Sequence, residues 1–230
     1  MATEEYNKTN HILRILIILF SGFMFAAYSA YNVFIIIKDI KELPVLGIII
    51  SVIVALMFAV LAVFSWTTVP LSVISVSTGD KFAGLYKMTD IRFLMIRSLA
   101  FNIAMLVIFL LKLRLASQVI AFLDFTKLPT VLYAAAYLAT LIALLLLFVY
   151  YAFIVKRLPL FPKAAFSLPL SALILFVCGL AVEAVLFFVF GIGIEESLLR
   201  TVIMRPVFYL GFIGLSAYFL IPSPLAKQIM

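Results

Sequence analysis

The sequence predicts an all-α fold: one integral membrane domain over residues 1–230, a polytopic bundle of six transmembrane helices. Three observations predict it. Of the 230 residues 67% are apolar and 12% charged, against about half and about a quarter in a soluble domain. The mean hydropathy is +1.31. The apolar residues also fall into six runs close to the roughly 20 residues a helix needs to cross about 30 Å of hydrocarbon. A chain this short, folded in water, could not hide so much apolar surface. Its solvent is the lipid bilayer, where each backbone polar group must be satisfied inside its own helix.

The first predicted span is 12–37, closed by the polar stretch 38–42. Lys8 and Arg14 flank it as in a signal peptide, but the run outlasts any h-region and has no small-x-small cleavage site near Ala30, so it reads as a retained span. The second span, 45–69, ends at Trp66, Thr67, Thr68 and Pro70. The third, 93–111, is interrupted only by Arg97 and Asn102. The fourth, 130–155, stops at Lys156 and Arg157. The fifth, 170–191, contains Glu183, and the sixth, 202–221, starts with Arg205 and Pro206. Between them, 71–91 and 115–128 mix apolar and polar residues and read either as plain loops or as amphipathic segments on the membrane surface. Trp66, Tyr150 and Tyr151 stand at span ends, where interfacial anchors belong.

Six spans place Lys8, Arg14, Lys81, Lys87, Arg92, Arg97, Lys156, Arg157, Lys163 and Lys227 on the side of both termini. The other side holds Lys38, Lys41, Lys112, Arg114, Lys127, Arg200 and Arg205. Ten against seven puts the termini in the cytoplasm, and we expect a prokaryotic cell membrane. The net charge of +7 fits basic loops at anionic headgroups, so no nucleic-acid partner is expected.

Cys178 is the only cysteine and His11 the only histidine. An intrachain disulfide is impossible. Zinc sites, bis-histidine haem and cysteine-held clusters need more His or Cys than this. A Ser-His or Cys-His pair would have to use His11, ahead of the first span, which argues against nucleophilic hydrolysis. No catalytic residue, metal or cofactor is predicted.

Arg92-x4-Arg97 before the third span and Arg200-x4-Arg205 before the sixth lie about half a chain apart. That spacing suggests a 3+3 inverted repeat, a plan that recurs in transporters; basic residues flanking spans are the simpler account. Glu183 is the residue to single out. A carboxylate within a span must be protonated, paired or turned to a wet cavity. It reads as a proton or substrate contact, or as one end of an interhelical hydrogen bond beside Gly179. Arg97 either snorkels to the headgroups or pairs with Glu183. Ser21, Tyr28 and Asn32 share one face of the first helix, Ser98 and Asn102 one of the third, and Tyr133, Tyr137 and Thr140 one of the fourth. The candidate substrate or proton pathway is Glu183, Arg97, Asn102, Tyr133 and Tyr137.

Three short stretches carry family resemblances. Glu195-Glu196-Ser197-Leu198-Leu199-Arg200 resembles the EExxxR motif of the CPBP intramembrane proteases, whose glutamate works with later histidines; none follows His11 here. Ala26-x-x-x-Ala30 is similar to the motif by which substrate-binding components of energy-coupling-factor transporters dock their partner. Ser77-Thr78-Gly79-Asp80 is similar to the GxGD of intramembrane aspartyl proteases but lacks the first glycine. The functional expectation is a transport-related permease or substrate-binding subunit, acting with partner proteins or as a homo-oligomer. A non-catalytic scaffold of a larger membrane complex is the alternative, and a CPBP-related hydrolase the minor one.

Overall fold

Each apolar run forms a helix. The structure, a computed structural model, describes residues 8–39, 44–77, 91–121, 126–154, 160–191 and 203–221. Its helices are α1 (Lys8–Asp39), α2 (Val45–Ser77), α3 (Ile91–Ala121), α4 (Leu128–Val149), α5 (Pro162–Phe190) and α6 (Arg205–Leu220). A π-helical turn, Tyr150–Ile154, extends α4. Among the described residues there is no strand. Five stretches are long and apolar enough to cross a membrane: Ile12–Lys38, Val45–Val69, Met95–Leu115, Leu128–Ile154 and Lys163–Phe190. The sixth, α6, is apolar but has 16 residues, a rise of about 24 Å.

The largest departures from expectation are three boundaries, each with a physical reason. The second helix runs past Pro70 to Ser77, because groups around a membrane helix can re-satisfy the backbone that a proline frees. The third helix runs on through Lys112 and Arg114 to Ala121, because a cation ends an apolar run without ending a helix. The first part of 115–128 is therefore α3, while 122–125 lie outside the described residues, as do 78–90 of the other predicted surface segment. The fifth helix starts at Pro162, not at 170: Pro162 occupies the first turn, where its missing N–H costs nothing, and Pro169 is carried inside the helix. Prolines also open α4 and α6, at Pro129 and Pro206. Gly191, φ 64°, caps α5 in the left-handed conformation that suits glycine.

The helices pack in chain order, α1 on α2, α2 on α3 and so on to α5 on α6, and α6 closes the ring on α1. Neighbours run antiparallel: Arg14 near the start of α1 lies over the ring of Tyr218 near the end of α6, 4.5 Å from its centroid. The centre is aromatic. Phe25, Phe58, Phe176 and Phe212 are fully buried, with Phe176 stacked on Phe212 at 5.2 Å and Phe25 edge-on to Phe212 at 5.0 Å. Gly211 and Gly214 let α6 approach α1 closely. A Cβ at 211 would stand 2.7 Å from the Phe25 ring, and one at 214 would run into the Ser21 hydroxyl. The outer faces carry Phe23, Ile96, Phe166 and Phe188, as a surface meeting lipid should.

Tyr150 and Tyr151 are not interfacial anchors. Tyr150 is buried and packs on Phe219; Tyr151 packs against Phe64, Phe101 and Phe219. The π turn that closes α4 sets both rings among other aromatics.

Candidate functional site

A cavity of about 630 Å³ opens within the ring, and every helix contributes to its wall. It lies at the end away from the start of α1 and the end of α6. Ile35 comes from the last turns of α1, Gly47 from the first turn of α2, Leu115 from the late part of α3 and Tyr133 from the early part of α4. Glu183 stands two turns from the end of α5, and Arg205 begins α6.

The polar groups converge here. Glu183 accepts a hydrogen bond from Arg205 Nη1 at 2.9 Å, an ion pair across the α5–α6 connection whose side chains are 15% and 23% exposed. Of the alternatives open to an intramembrane carboxylate, two hold at once: it is paired, and it faces a cavity. Lys112 of α3 places its ammonium 4.5 Å from the centroid of Phe208 and 5.2 Å from that of Tyr137. Electron-rich ring faces stabilise a cation where water is scarce. Thr140 donates to Ala136 O at 2.8 Å, which uses its one proton, so the 3.0 Å contact with Tyr209 is a bond the tyrosine donates. On α1, Asn32 Nδ2 donates to Tyr28 O at 2.7 Å, and both residues line the wall. Gly179 makes room for Tyr209, since a Cβ there would stand 2.8 Å from Cε1 of that ring.

Of the five predicted pathway residues, Glu183, Tyr133 and Tyr137 meet in this wall, and Arg97 and Asn102 do not. Arg97 lies nearly two turns into α3, toward the opposite end of the ring. Its Nε donates to Thr67 Oγ1 at 3.0 Å, and Nη2 donates to Phe64 O at 3.0 Å and to Thr68 Oγ1. Its guanidinium lies 4.1 Å from the Phe64 ring centroid. It joins α3 to α2 and is no partner of Glu183. Asn102 Oδ1 is buried and has no hydrogen-bond partner among the described residues. Ser21 likewise sits away from the cavity, bonded to Ile17 O at 3.0 Å.

Sequence reasoning missed Lys112 and Arg205, having read both as cations flanking spans. The signal for Lys112 is its register, one turn beyond Ile108 on the same face of α3. Arg205 and Arg97 hold equivalent places in the two R-x4-R motifs, yet their partners differ: a carboxylate for one, threonines and a carbonyl for the other. Glu195, Glu196 and Arg200, which carry the CPBP resemblance, lie outside the described residues, as do Gly79 and Asp80. Of the Ala26-x-x-x-Ala30 pair, Ala30 is exposed and Ala26 packs partly against the core. Among the described residues no cluster of His, Cys, Asp and Glu could hold a metal ion. Compared with protein-family models, curated proteins and solved structures, the chain finds no match.

Proposed function

We propose that this cavity is the solute site of a transport-related membrane protein, a permease or a substrate-binding subunit that acts with partner chains. One observation carries the reading. All six helices contribute to one largely apolar cavity whose wall holds an ion pair and a second cation. Charged groups within spans are expensive and mark functional paths, and a bundle that only had to pack would seal this volume with apolar side chains. With both termini in the cytoplasm, the cavity faces the outside.

Thiol accessibility tests it. In a Cys178→Ser background, which removes the native exposed thiol, Ser51→Cys and Tyr133→Cys report on the cavity and Leu138→Cys on the exposed outer face. A membrane-impermeant thiol reagent added outside intact cells is expected to label the first two and spare the third. Cavity positions that stay unlabelled from both sides, in cells and in inverted vesicles, would remove the reading and favour a scaffold.

A further inference from the structure

At the end of the bundle opposite the cavity, α1 starts, α6 ends and the π turn closes α4. Three polar side chains converge there. Arg14 of α1 holds its guanidinium 4.5 Å from the ring centroid of Tyr218 on α6. The Tyr218 ring stands 5.5 Å from that of Phe219, and the Phe219 ring 5.0 Å from that of Tyr150 in the π turn. The Tyr150 hydroxyl lies within electrostatic reach of both Arg14 and Tyr218.

None of the three spends its donors on the protein. Arg14 has the Tyr218 ring as its partner and neither a hydrogen bond nor an ion pair, and the hydroxyls of Tyr150 and Tyr218 are not hydrogen-bonded either. The acceptor oxygens of the neighbourhood, the two phenols and the last carbonyls of α6, therefore take nothing from the guanidinium. A guanidinium offers five N–H groups and each phenol one O–H. Tyr150 is 5% exposed. Among the described residues the one buried side-chain atom without a partner is Asn102 Oδ1, so the Tyr150 hydroxyl is open at its tip and not sealed in.

Charge and depth say what answers these donors. The carboxylates among the described residues are Asp39, at the end of α1, and Glu183, in the cavity wall, both at the far end. The near end carries Arg97 and Lys163 besides Arg14. Arg14 lies two residues into the apolar run Ile12–Lys38, beside the exposed side chains of Ile12, Leu13 and Leu16. A long cationic side chain at that depth reaches the headgroup layer. An anionic oxygen that meets it there comes with acyl chains lying along α1. We propose that Arg14, Tyr150 and Tyr218 form a site for the phosphodiester of an anionic phospholipid, at the seam of α1 and α6. The guanidinium pairs with the phosphate, as its planar fork suits, and the phenols donate to headgroup oxygens. A zwitterionic headgroup fits less well, because its ammonium meets cations and no described carboxylate. This site is separate from the cavity and does not rest on the solute reading.

Native mass spectrometry of the full chain in detergent, titrated with phosphatidylglycerol or with phosphatidylcholine of the same acyl chains, tests the proposal. The chain should hold one phosphatidylglycerol at concentrations where phosphatidylcholine scarcely binds. Arg14→Gln should weaken that first adduct about tenfold or more, the scale of hydrogen bonds to a charged group. Arg14→Lys, which keeps the charge and loses the fork, should recover part of the loss. Tyr150→Phe removes a hydroxyl, keeps the buried ring and should weaken the adduct about threefold; it carries the test if Arg14→Gln fails to fold. Lys163→Gln, which removes an exposed cation from the same end, should change it far less. Glycerol 3-phosphate, the head without its acyl chains, should not displace the lipid. An adduct unmoved by both Arg14→Gln and Tyr150→Phe, or weakened as much by Lys163→Gln as by Arg14→Gln, would overturn the site. Displacement by glycerol 3-phosphate at matched concentration would overturn its assignment to a lipid.

Discussion

Glu183 and Arg205 show what one ion pair in a low-dielectric wall demands. Removing either partner strands the other charge where water is scarce, which costs more than removing both. Glu183→Gln and Arg205→Gln should each lower the melting temperature in detergent by roughly 5 °C, on the scale of about 2–4 °C per kcal/mol for a chain of this size. The double variant should lose less than the sum. A strictly additive cycle would mean that the two do not depend on each other. Glu183 was legible from the sequence because an acid inside an apolar run stands out. Arg205 was not, since arginine at the edge of a span is ordinary and only the packing of α6 against α5 brings it to Glu183. Lys112 was hidden for the same reason. Arg97 and Asn102 were read as intramembrane polar groups, and they are, but composition carries no depth. They lie in the first half of the helix whose later part reaches the cavity.

At the scale of the helix, glycine position matters more than apolar pattern, because these helices are apolar nearly all round. Four notches fix the closest approaches: Gly22 beneath Trp66, Gly179 beneath Tyr209, Gly211 beneath Phe25 and Gly214 beneath Ser21. The notch at Gly179 also bears on the cavity. A methyl there displaces Tyr209 from Thr140 and shifts one wall of the site. Gly179→Ala should therefore weaken ligand binding as well as lower the melting temperature, whereas Gly22→Ala should lower the melting temperature and leave binding intact. Equal binding in both variants would show that Tyr209 does not shape the site. That Gly179 serves close packing was readable from its place one turn before Glu183; its partner on α6 was not. The helix ends were readable at Pro129, Pro206 and Gly191. They were misread at Pro70 and Pro169, which the membrane helices accommodate because neighbouring groups re-satisfy the freed backbone.

For the molecule as a whole, the order of packing follows the order of the chain and closes on itself. Six apolar helices in an all-α bundle, five of them long enough to cross a membrane, were legible from hydropathy, because lipid leaves so few architectures open. The ring was not, since apolar helices carry little sign of which neighbour they prefer. The ring makes each half, α1 to α3 and α4 to α6, meet the other along two seams: α3 on α4, and α6 on α1. A chain broken between Ala121 and Thr126 and expressed as two pieces should reassemble, with a tag on one half recovering the other in equal amount. Independent recovery of the halves would show that the seams are weaker than the packing within each half.

The pairing of Glu183 with Arg205 also sets a clock on biosynthesis. A ribosome makes the carboxylate 22 residues before its counterion, so a nascent chain that has delivered α5 to the membrane carries an acid with no arginine to meet it and a bundle still open on one side. Only when α6 follows does the same event cover the acid, complete the cavity and seat the last helix against the first. A chain truncated between residues 191 and 205 should therefore expose Glu183 without its arginine, and a pulse-chase should find it shorter-lived in the membrane than the 230-residue chain.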